Sequence, residues 1–221
     1  MIRFAVAMEK LTETPVAQKR LALKYLHLEN VLNNAQIDTL IEACKNGDHK
    51  AYAKLYHFFA PKMYATCLRF SRDVSEAQDI LQDGFVKVFS HLRDYRGDGS
   101  LEGWIRRIMV HTALEKFRKK NPLQWSSELS VNIPETEPLE GIEAYFNVED
   151  VLQLVRELPD GYRMVFNLYA IEGYAHKEIA EMLGISEGTS KSQLARARQQ
   201  LQQRIREMMP ELVPHGKYQH L

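Results

Sequence analysis

A helix–glycine–helix pattern at Ala175–Ile205, AHKEIAEMLGISEGTSKSQLARARQQLQQRI, limits the fold of this 221-residue chain more than any other part of its sequence. Apolar residues recur at helical spacing on both sides of Gly184. Gly184 predicts a tight turn, because glycine adopts a left-handed backbone at little cost. Ser186 is placed to cap the second helix through its side-chain oxygen. The residues expected on the inner faces are Ile179, Ala180, Leu183, Leu194, Ala197, Leu201 and Ile205.

The rest of the chain also has helical periodicity and no sustained alternating pattern typical of strands. Gly47 is expected to end the first of these helices, and Pro61 to bend or interrupt the second. Thr14–Leu32 predicts one more helix, whose role the sequence does not indicate. The chain is therefore predicted to be all-α. The four apolar stripes lie at Ile37–Cys44, Tyr52–Phe59, Leu81–Leu92 and Leu101–Thr112.

Charged residues are unevenly distributed along the chain, although its 29 basic and 29 acidic residues give a net charge of zero. Asn121–Asp150 holds seven acidic residues and no lysine or arginine, and its three prolines favour a flexible linker. Basic residues concentrate in Leu101–Lys120 and in Ser186–Arg206. Two basic helices indicate either solvated faces or a polyanionic partner. The predicted organisation is an extension 1–35, a helical domain 36–120, the acidic linker 121–147, a second helical domain 148–209 and a tail 210–221.

Several classes of protein are disfavoured. Cys44 and Cys67 are too few for a disulfide framework, and no apolar run is long enough to span a membrane. We therefore expect a reduced cytoplasmic protein that is not inserted into the membrane. No catalytic or nucleotide-binding motif appears. Two histidine–carboxylate pairs at helical spacing lack a third metal ligand. We expect no enzyme activity, no cofactor and no metal; the two pairs are His111 with Glu115 and Glu172 with His176.

The second helix of the Gly184 pattern has the chemistry of a DNA-reading helix. The first turns of a recognition helix enter the major groove, where glutamine and arginine read base edges and lysine and serine hold phosphates. A helix–glycine–helix pattern alone is weak evidence, but the added Gly-Ile-Ser turn and the Lys-Ser/Arg run favour DNA contact. The side expected to face DNA presents Lys191, Ser192, Gln193, Arg196 and Gln199.

With both halves considered, the chain resembles an extracytoplasmic-function (ECF) sigma factor of the sigma-70 superfamily over roughly Gln36 to Met209. DILQDGFVKVF at Asp79–Phe89 is similar to the family's polymerase-binding helix. GSLEGWIRRIMVHTALEKFRKK at Gly99–Lys120 resembles its promoter-melting and −10 helix. Leu158–Arg198 resembles its −35-binding domain. Residues 36–120 would then be sigma region 2, and residues 148–209 sigma region 4.

The resemblance implies three sets of binding residues. Core polymerase would be bound by Asp79, Gln82, Asp83 and Phe85. The −10 element would be bound by Tyr95, Arg96, Ser100, Arg107, His111 and Arg118, with the loop Tyr95–Ser100 capturing a flipped base. The −35 element would be bound by Ser186, Thr189, Lys191, Ser192, Gln193 and Arg196.

The chain departs from the family pattern at several positions. His111 stands where asparagine is common, and Ser190 and Gln193 stand where valine and arginine are common. Gln193 favours adenine where arginine would favour guanine, so the family's promoter preference cannot be carried over to this chain. Trp104 lies on the apolar stripe and is expected in the core before any stacking role. Ala175 lacks the hydroxyl often found before the first helix of the motif.

The resulting hypothesis is an initiation factor that directs core RNA polymerase to specific promoter DNA, with an anti-sigma factor as a further partner. The acidic linker would thread toward the active-site cleft of the polymerase. In the free protein it would compete with phosphate for the basic helices. Two alternatives stay open: a stand-alone helix-turn-helix regulator that does not bind polymerase, and a helical adaptor or anti-sigma-like decoy.

Overall fold

The computed structural model describes residues 34–120 and 148–208, and every regular element in these two ranges is helical. The all-α prediction is therefore confirmed. The expected helix Thr14–Leu32, the linker 121–147 and the tail 210–221 lie outside the described residues. In chain order the elements are α1 (Asn34–Lys45), α2 (His49–Phe70), α3 (Val74–His91), a 3-10 turn (Leu92–Asp94), α4 (Leu101–Lys120), α5 (Val148–Glu157), α6 (Asp160–Phe166), a π-helical turn (Asn167–Ile171), α7 (His176–Leu183) and α8 (Glu187–Met208).

The end of α1 follows the prediction, whereas the course of α2 does not. Gly47 follows α1 with a φ of +84°, and its N–H donates to the carbonyl of Cys44. Pro61, in contrast, lies inside α2, which continues without interruption for 22 residues. Of the two expected effects, an interruption at Pro61 is therefore wrong, and a bend stays a prediction. Pro61 is exposed, so the place where the helix lacks one backbone donor lies at the surface.

The described residues form two compact units. One contains 34–61 and 92–94, and the other contains 62–91, 95–120 and 148–208. In the first unit α1 packs against the 3-10 turn, where Leu92 is fully buried. In the second unit α3 packs against α4, and Gly84 is the point of close approach, because an added Cβ there would lie 2.2 Å from Met109 Sδ. The boundary between the units falls within α2, so the expected boundary after residue 120 stays a prediction.

The segment that contains the helix–glycine–helix pattern has its own apolar core, within the second unit. α8 packs against α6 and α7, and residues of α5 complete the cluster. Tyr162 and Phe166 pack at its edge. The predicted inner faces of α7 and α8 are confirmed, since every one of their seven apolar residues is buried. The core cluster consists of Leu154, Val155, Leu158, Ala197, Leu201 and Ile205.

A buried polar network runs through the same unit. The guanidinium of Arg163, whose side chain is 4% exposed, pairs with Asp160 and donates to two backbone carbonyls. Asn167 is fully buried and donates to the carbonyls of Arg163 and Arg69. Arg69 also pairs with Glu172. Buried polar groups need such partners, because each unpaired group costs about 1–3 kcal/mol.

Candidate nucleic-acid interface

The turn between α7 and α8 is built as the sequence predicts. Gly184 has a φ of +70°, and its N–H donates to the carbonyl of Ala180. Ser186 caps α8, because its Oγ accepts a hydrogen bond from the Thr189 N–H at 2.9 Å. The N-terminus of α8 therefore has a fixed direction, and its partial positive charge favours phosphate.

The start of α7 has one of the two hydrogen bonds of a capping box. The backbone N–H of Ala175 donates to Glu178 Oε2 at 2.8 Å. The methyl side chain of Ala175 has no acceptor to offer in return. The missing hydroxyl noted in the sequence therefore leaves only the Glu178 contribution at this helix start.

Five of the six side chains predicted to meet the −35 element lie at least partly on the surface of α8 or its cap. Lys191 is 61% exposed and pairs with Glu187 one turn earlier. Ser192 donates to the carbonyl of Thr189. Arg196 is half-buried and donates to the hydroxyl of Tyr162 at 3.2 Å. The face carries two cations, Lys191 beside Glu187 and Arg196 beside Tyr162, which suits contacts with phosphates and base edges.

The sixth of these residues, Gln193, does not lie on that face. Gln193 is 4% exposed, and its amide packs against Gly161 of α6. The expectation that Gln193 is presented to DNA is therefore wrong, since the helix turns this side chain toward α6. Ser190 is also fully buried, and its hydroxyl lies 2.9 Å from His176 Nδ1.

The loop before α4 is closed by its own side chains. The Tyr95 hydroxyl donates to the carbonyl of Gly99 at 2.8 Å. The Tyr95 ring lies 5.4 Å from the ring of half-buried Trp104. Ser100 Oγ accepts the Gly103 N–H and caps α4. Arg96 is exposed at the tip of the loop. The loop thus joins an aromatic pair to an exposed cation, the two features that a splayed nucleotide requires.

Three exposed basic or imidazole side chains follow one side of α4. Arg107, His111 and Arg118 are exposed, while Met109 and Thr112 on the opposite side are buried. Desolvation lowers the pKa of His111, and the charges of Arg107 and Arg118 lower it further against the pull of Glu115. His111 is therefore a neutral hydrogen-bonding group at neutral pH, between two cations.

The predicted polymerase-binding side of α3 carries two exposed carboxylates. The Asp79 and Asp83 side chains are 66% and 56% exposed. Lys116 of α4 lies 2.8 Å from Asp83 and 3.9 Å from Asp79. Gln82 is half-buried beside them. Phe85, however, is 1% exposed and belongs to the interior, so its expected contact with a partner is wrong.

In each of the two histidine–carboxylate pairs, the carboxylate forms an ion pair with another residue. Glu115 pairs with Lys87 at 2.7 Å, and Glu172 pairs with Arg69. Within 34–120 and 148–208 no group of three or more potential metal ligands occurs. In the same two ranges no helix is long and apolar enough to cross a membrane.

The comparisons with known proteins agree with this geometry. The family model for sigma-70 region 2 matches residues 55–122, and the model for sigma-70 region 4 matches residues 149–201. The chain is 27% identical to the RNA polymerase sigma-H factor of Pseudomonas aeruginosa over 196 residues, which cover 82% of this chain and 100% of the relative. It is 29% identical to the ECF RNA polymerase sigma factor SigW of Bacillus subtilis over 182 residues, which cover 76% of this chain and 96% of the relative.

Solved sigma factor structures are more distant. The sigma factor RpoE of Bartonella quintana, solved in complex with the anti-sigma factor NepR, matches with a TM-score of 0.44 and 21% identity. That match covers 71% of this chain and 98% of the other. CnrH, solved in complex with the cytosolic domain of CnrY, matches with a TM-score of 0.42 and 22% identity over 76% of this chain and 96% of the other.

A sigma-70 region 2 followed by a sigma-70 region 4 that contains the helix-turn-helix defines a transcription initiation factor. The chain belongs to the sigma-70 family and, within it, to the extracytoplasmic-function sigma factors. It directs RNA polymerase to promoters and initiates transcription, and the catalytic chemistry belongs to the polymerase rather than to this chain.

Proposed function

We propose that three separate surfaces of this sigma factor divide the work of initiation. The acidic side of α3 binds core polymerase, the 95–100 loop and the exposed side of α4 bind and open the −10 element, and the first turns of α8 bind the −35 element. One observation carries the proposal: each of the two sigma-70 matches includes a helix with exposed cations, α4 in the region 2 match and most of α8 in the region 4 match.

The −35 contact is supported by the construction of α8. Its capped N-terminus is suited to enter the major groove, where the first turns of a recognition helix meet base edges. We assign phosphate contacts to Ser186, Thr189 and Lys191 at this end. Arg196 is restrained by Tyr162, so it reaches a base edge or phosphate with less loss of side-chain entropy than a free arginine. Ser192 is the fifth residue that we assign to the −35 contact.

The −10 contact is supported by the loop and by α4. A flipped base needs an aromatic ring for stacking, which Tyr95 provides beside Trp104. Arg96 and Ser100 are exposed in the same loop. Arg107 and Arg118 provide charge for the phosphates of the separated strand, while neutral His111 offers a hydrogen bond without repelling either cation.

Polymerase docking is supported by the exposed carboxylates of α3. Among the described residues, Asp79 and Asp83 share the cation of Lys116, so together they keep a net negative charge that a basic polymerase surface can meet. Gln82 adds a hydrogen-bonding amide between them. Because Lys116 comes from α4, the same ion pairs also fasten the polymerase-binding helix to the DNA-binding helix.

The remaining features follow from the sigma assignment. We assign region 2 to 36–120 and region 4 to 148–209. The region 2 match at 55–122 overlaps the first range and ends two residues beyond it, and the region 4 match at 149–201 lies within the second. The protein acts in the cytoplasm, where RNA polymerase works, and an anti-sigma factor holds it until a signal arrives. The stand-alone regulator is disfavoured because it leaves the region 2 match without a role.

The assignment is tested by transcription from holoenzyme assembled with full-length variants. K191A and R196A are expected to reduce promoter-dependent transcripts about tenfold or more, and D79A/D83A to reduce the assembly of holoenzyme. K54A removes an exposed lysine from α2 and serves as the control. Transcription and assembly equal to those of the K54A protein in all of these variants would refute the assignment.

A further inference from the structure

The first turns of α8 are fastened to α7 by a hydrogen bond between two side chains. His176 is the first residue of α7, and its Nδ1 lies 2.9 Å from the Oγ of Ser190. Ser190 is fully buried and follows the cap residue Ser186 by one helical turn. The bond therefore acts at the end of α8 that also carries Thr189 and Lys191.

The imidazole is held from its other side as well. The Tyr169 ring stacks on His176 with ring centres 4.5 Å apart and planes 20° apart. The guanidinium of Arg198 lies 5.8 Å from the centre of the Tyr169 ring. Because Arg198 lies on α8 two turns beyond Ser190, the histidine and tyrosine rings connect two points of α8 to the start of α7.

The surroundings of His176 keep its ring neutral near neutral pH. Burial lowers the pKa of His176, and Lys191 and Arg198 lower it further while Glu187 opposes them. A neutral ring forms one hydrogen bond with Ser190 and carries no positive charge that would attract phosphate. The titratable and charged groups around it are Tyr169, Tyr174, Lys177, Glu178, Glu187, Lys191 and Arg198.

We propose that His176 is a positioning residue for promoter recognition, which sets the orientation of α8 through Ser190 and thereby the discrimination between upstream elements. The inference rests on the proposed function of α8. Base readout needs two-point geometry at a base edge, whereas a phosphate contact tolerates a shift of the helix. A loosened α8 therefore loses discrimination while it keeps its general affinity for DNA.

The experiment uses full-length protein in holoenzyme on two templates. One is a promoter fragment that the holoenzyme transcribes, and the other is the same fragment with its upstream element scrambled. S190V and H176F are expected to lower the affinity ratio between the templates about tenfold, with unchanged affinity for the scrambled one. H176N keeps an amide near the position of Nδ1 and is expected to restore most of the ratio.

A matched control exists on α3. Ser90 Oγ lies 3.0 Å from His91 Nδ1, but this pair is exposed. S90V and H91F are expected to leave the ratio unchanged. An unchanged ratio in S190V, with a reduced ratio in R196A, would overturn the inference alone. If R196A also left the ratio unchanged and K191A left the affinity for both templates unchanged, the proposed function of α8 would fail and the inference with it.

Discussion

The side-chain amide of Gln193 packs against Gly161, so that a Cβ added at Gly161 would come within 3.2 Å of Gln193 Oε1. Gln193 is 4% exposed, and its Oε1 finds no hydrogen-bond partner among the described residues. A residue that looks like a base reader in the sequence is therefore part of the contact between α6 and α8.

Replacing Gln193 with methionine tests this packing role. Q193M conserves volume and removes an unpaired buried polar atom, so the free energy of unfolding is expected to stay the same or rise by about 1 kcal/mol. Selection of upstream elements from a randomised pool is expected to return the wild-type preference. A changed preference at one base position would show that Gln193 reads DNA.

Gly84 is expected to be intolerant of a side chain. G84A places a Cβ 2.2 Å from Met109 Sδ in the contact between α3 and α4. Because Met109 is 1% exposed, its flexible side chain has little room to move, and an overpacking cost of about 1–3 kcal/mol in urea unfolding is expected to exceed the gain of up to about 1 kcal/mol from replacing a helical glycine with alanine. Gly188 provides the control, because its nearest added contact is an ordinary 3.6 Å from Ser186 Oγ. G188A is expected to stabilise α8 by up to about 1 kcal/mol. Equal effects of the two changes would contradict the packing of α3 on α4.

The ion pair between Arg69 and Glu172 is expected to contribute more to the free energy of unfolding than exposed ion pairs do. Its side chains are 15% and 7% exposed, so E172Q leaves a mostly buried guanidinium without its counter-charge. We expect a loss of about 3 kcal/mol in the free energy of unfolding. The double change R69M/E172L is expected to recover most of it, because neither charge then remains buried.

An exposed pair provides the comparison for E172Q. Arg204 and Glu207 are 61% and 49% exposed, and E207Q is expected to change stability by less than about 0.5 kcal/mol. If E172Q cost no more than E207Q, the Arg69 pair would not be buried in solution.

Stability is expected to fall between neutral and mildly acidic pH. The folded pKa values of His111 and His176 are lowered, mainly by desolvation, so the unfolded chain binds protons more readily. The contribution is present above the ordinary histidine pKa of about 6.5 and is lost as the pH falls through the folded values. The midpoint of urea unfolding should decrease from pH 7.5 to pH 5.5, and the decrease should be smaller in H111Q/H176N. An identical decrease in that variant would assign the effect to other groups.

Much of the helical framework can be predicted from the sequence. Apolar spacing locates the helices, Gly184 locates the turn, and Ser186 identifies the cap of α8, because each of these signals is local. The exposure of Lys191 follows from the same spacing. These features depend on periodicity and backbone preference, which a single helix already expresses.

The burial of Gln193, Ser190 and Phe85 could not be predicted, because it depends on tertiary packing and not on local sequence signals. Polar residues on a basic helix look exposed until the partner surface is known, and Gly161 is the residue that makes room for Gln193. The sequence indicates only a possible metal-ligand pair of His176 with Glu172, whereas each of these side chains bonds to a residue distant in sequence. The π-helical turn Asn167–Ile171 likewise has no simple sequence signature.

Run-off transcription tests the central claim most directly. Sigma-free core polymerase would be supplied with a pool of genomic promoter fragments, with and without the full-length protein. We predict protein-dependent transcripts from a defined subset of fragments that share an upstream element, and their loss with K191A. DNA fragments retained by the protein alone, with no transcript in the presence of polymerase, would contradict the account and indicate a stand-alone regulator.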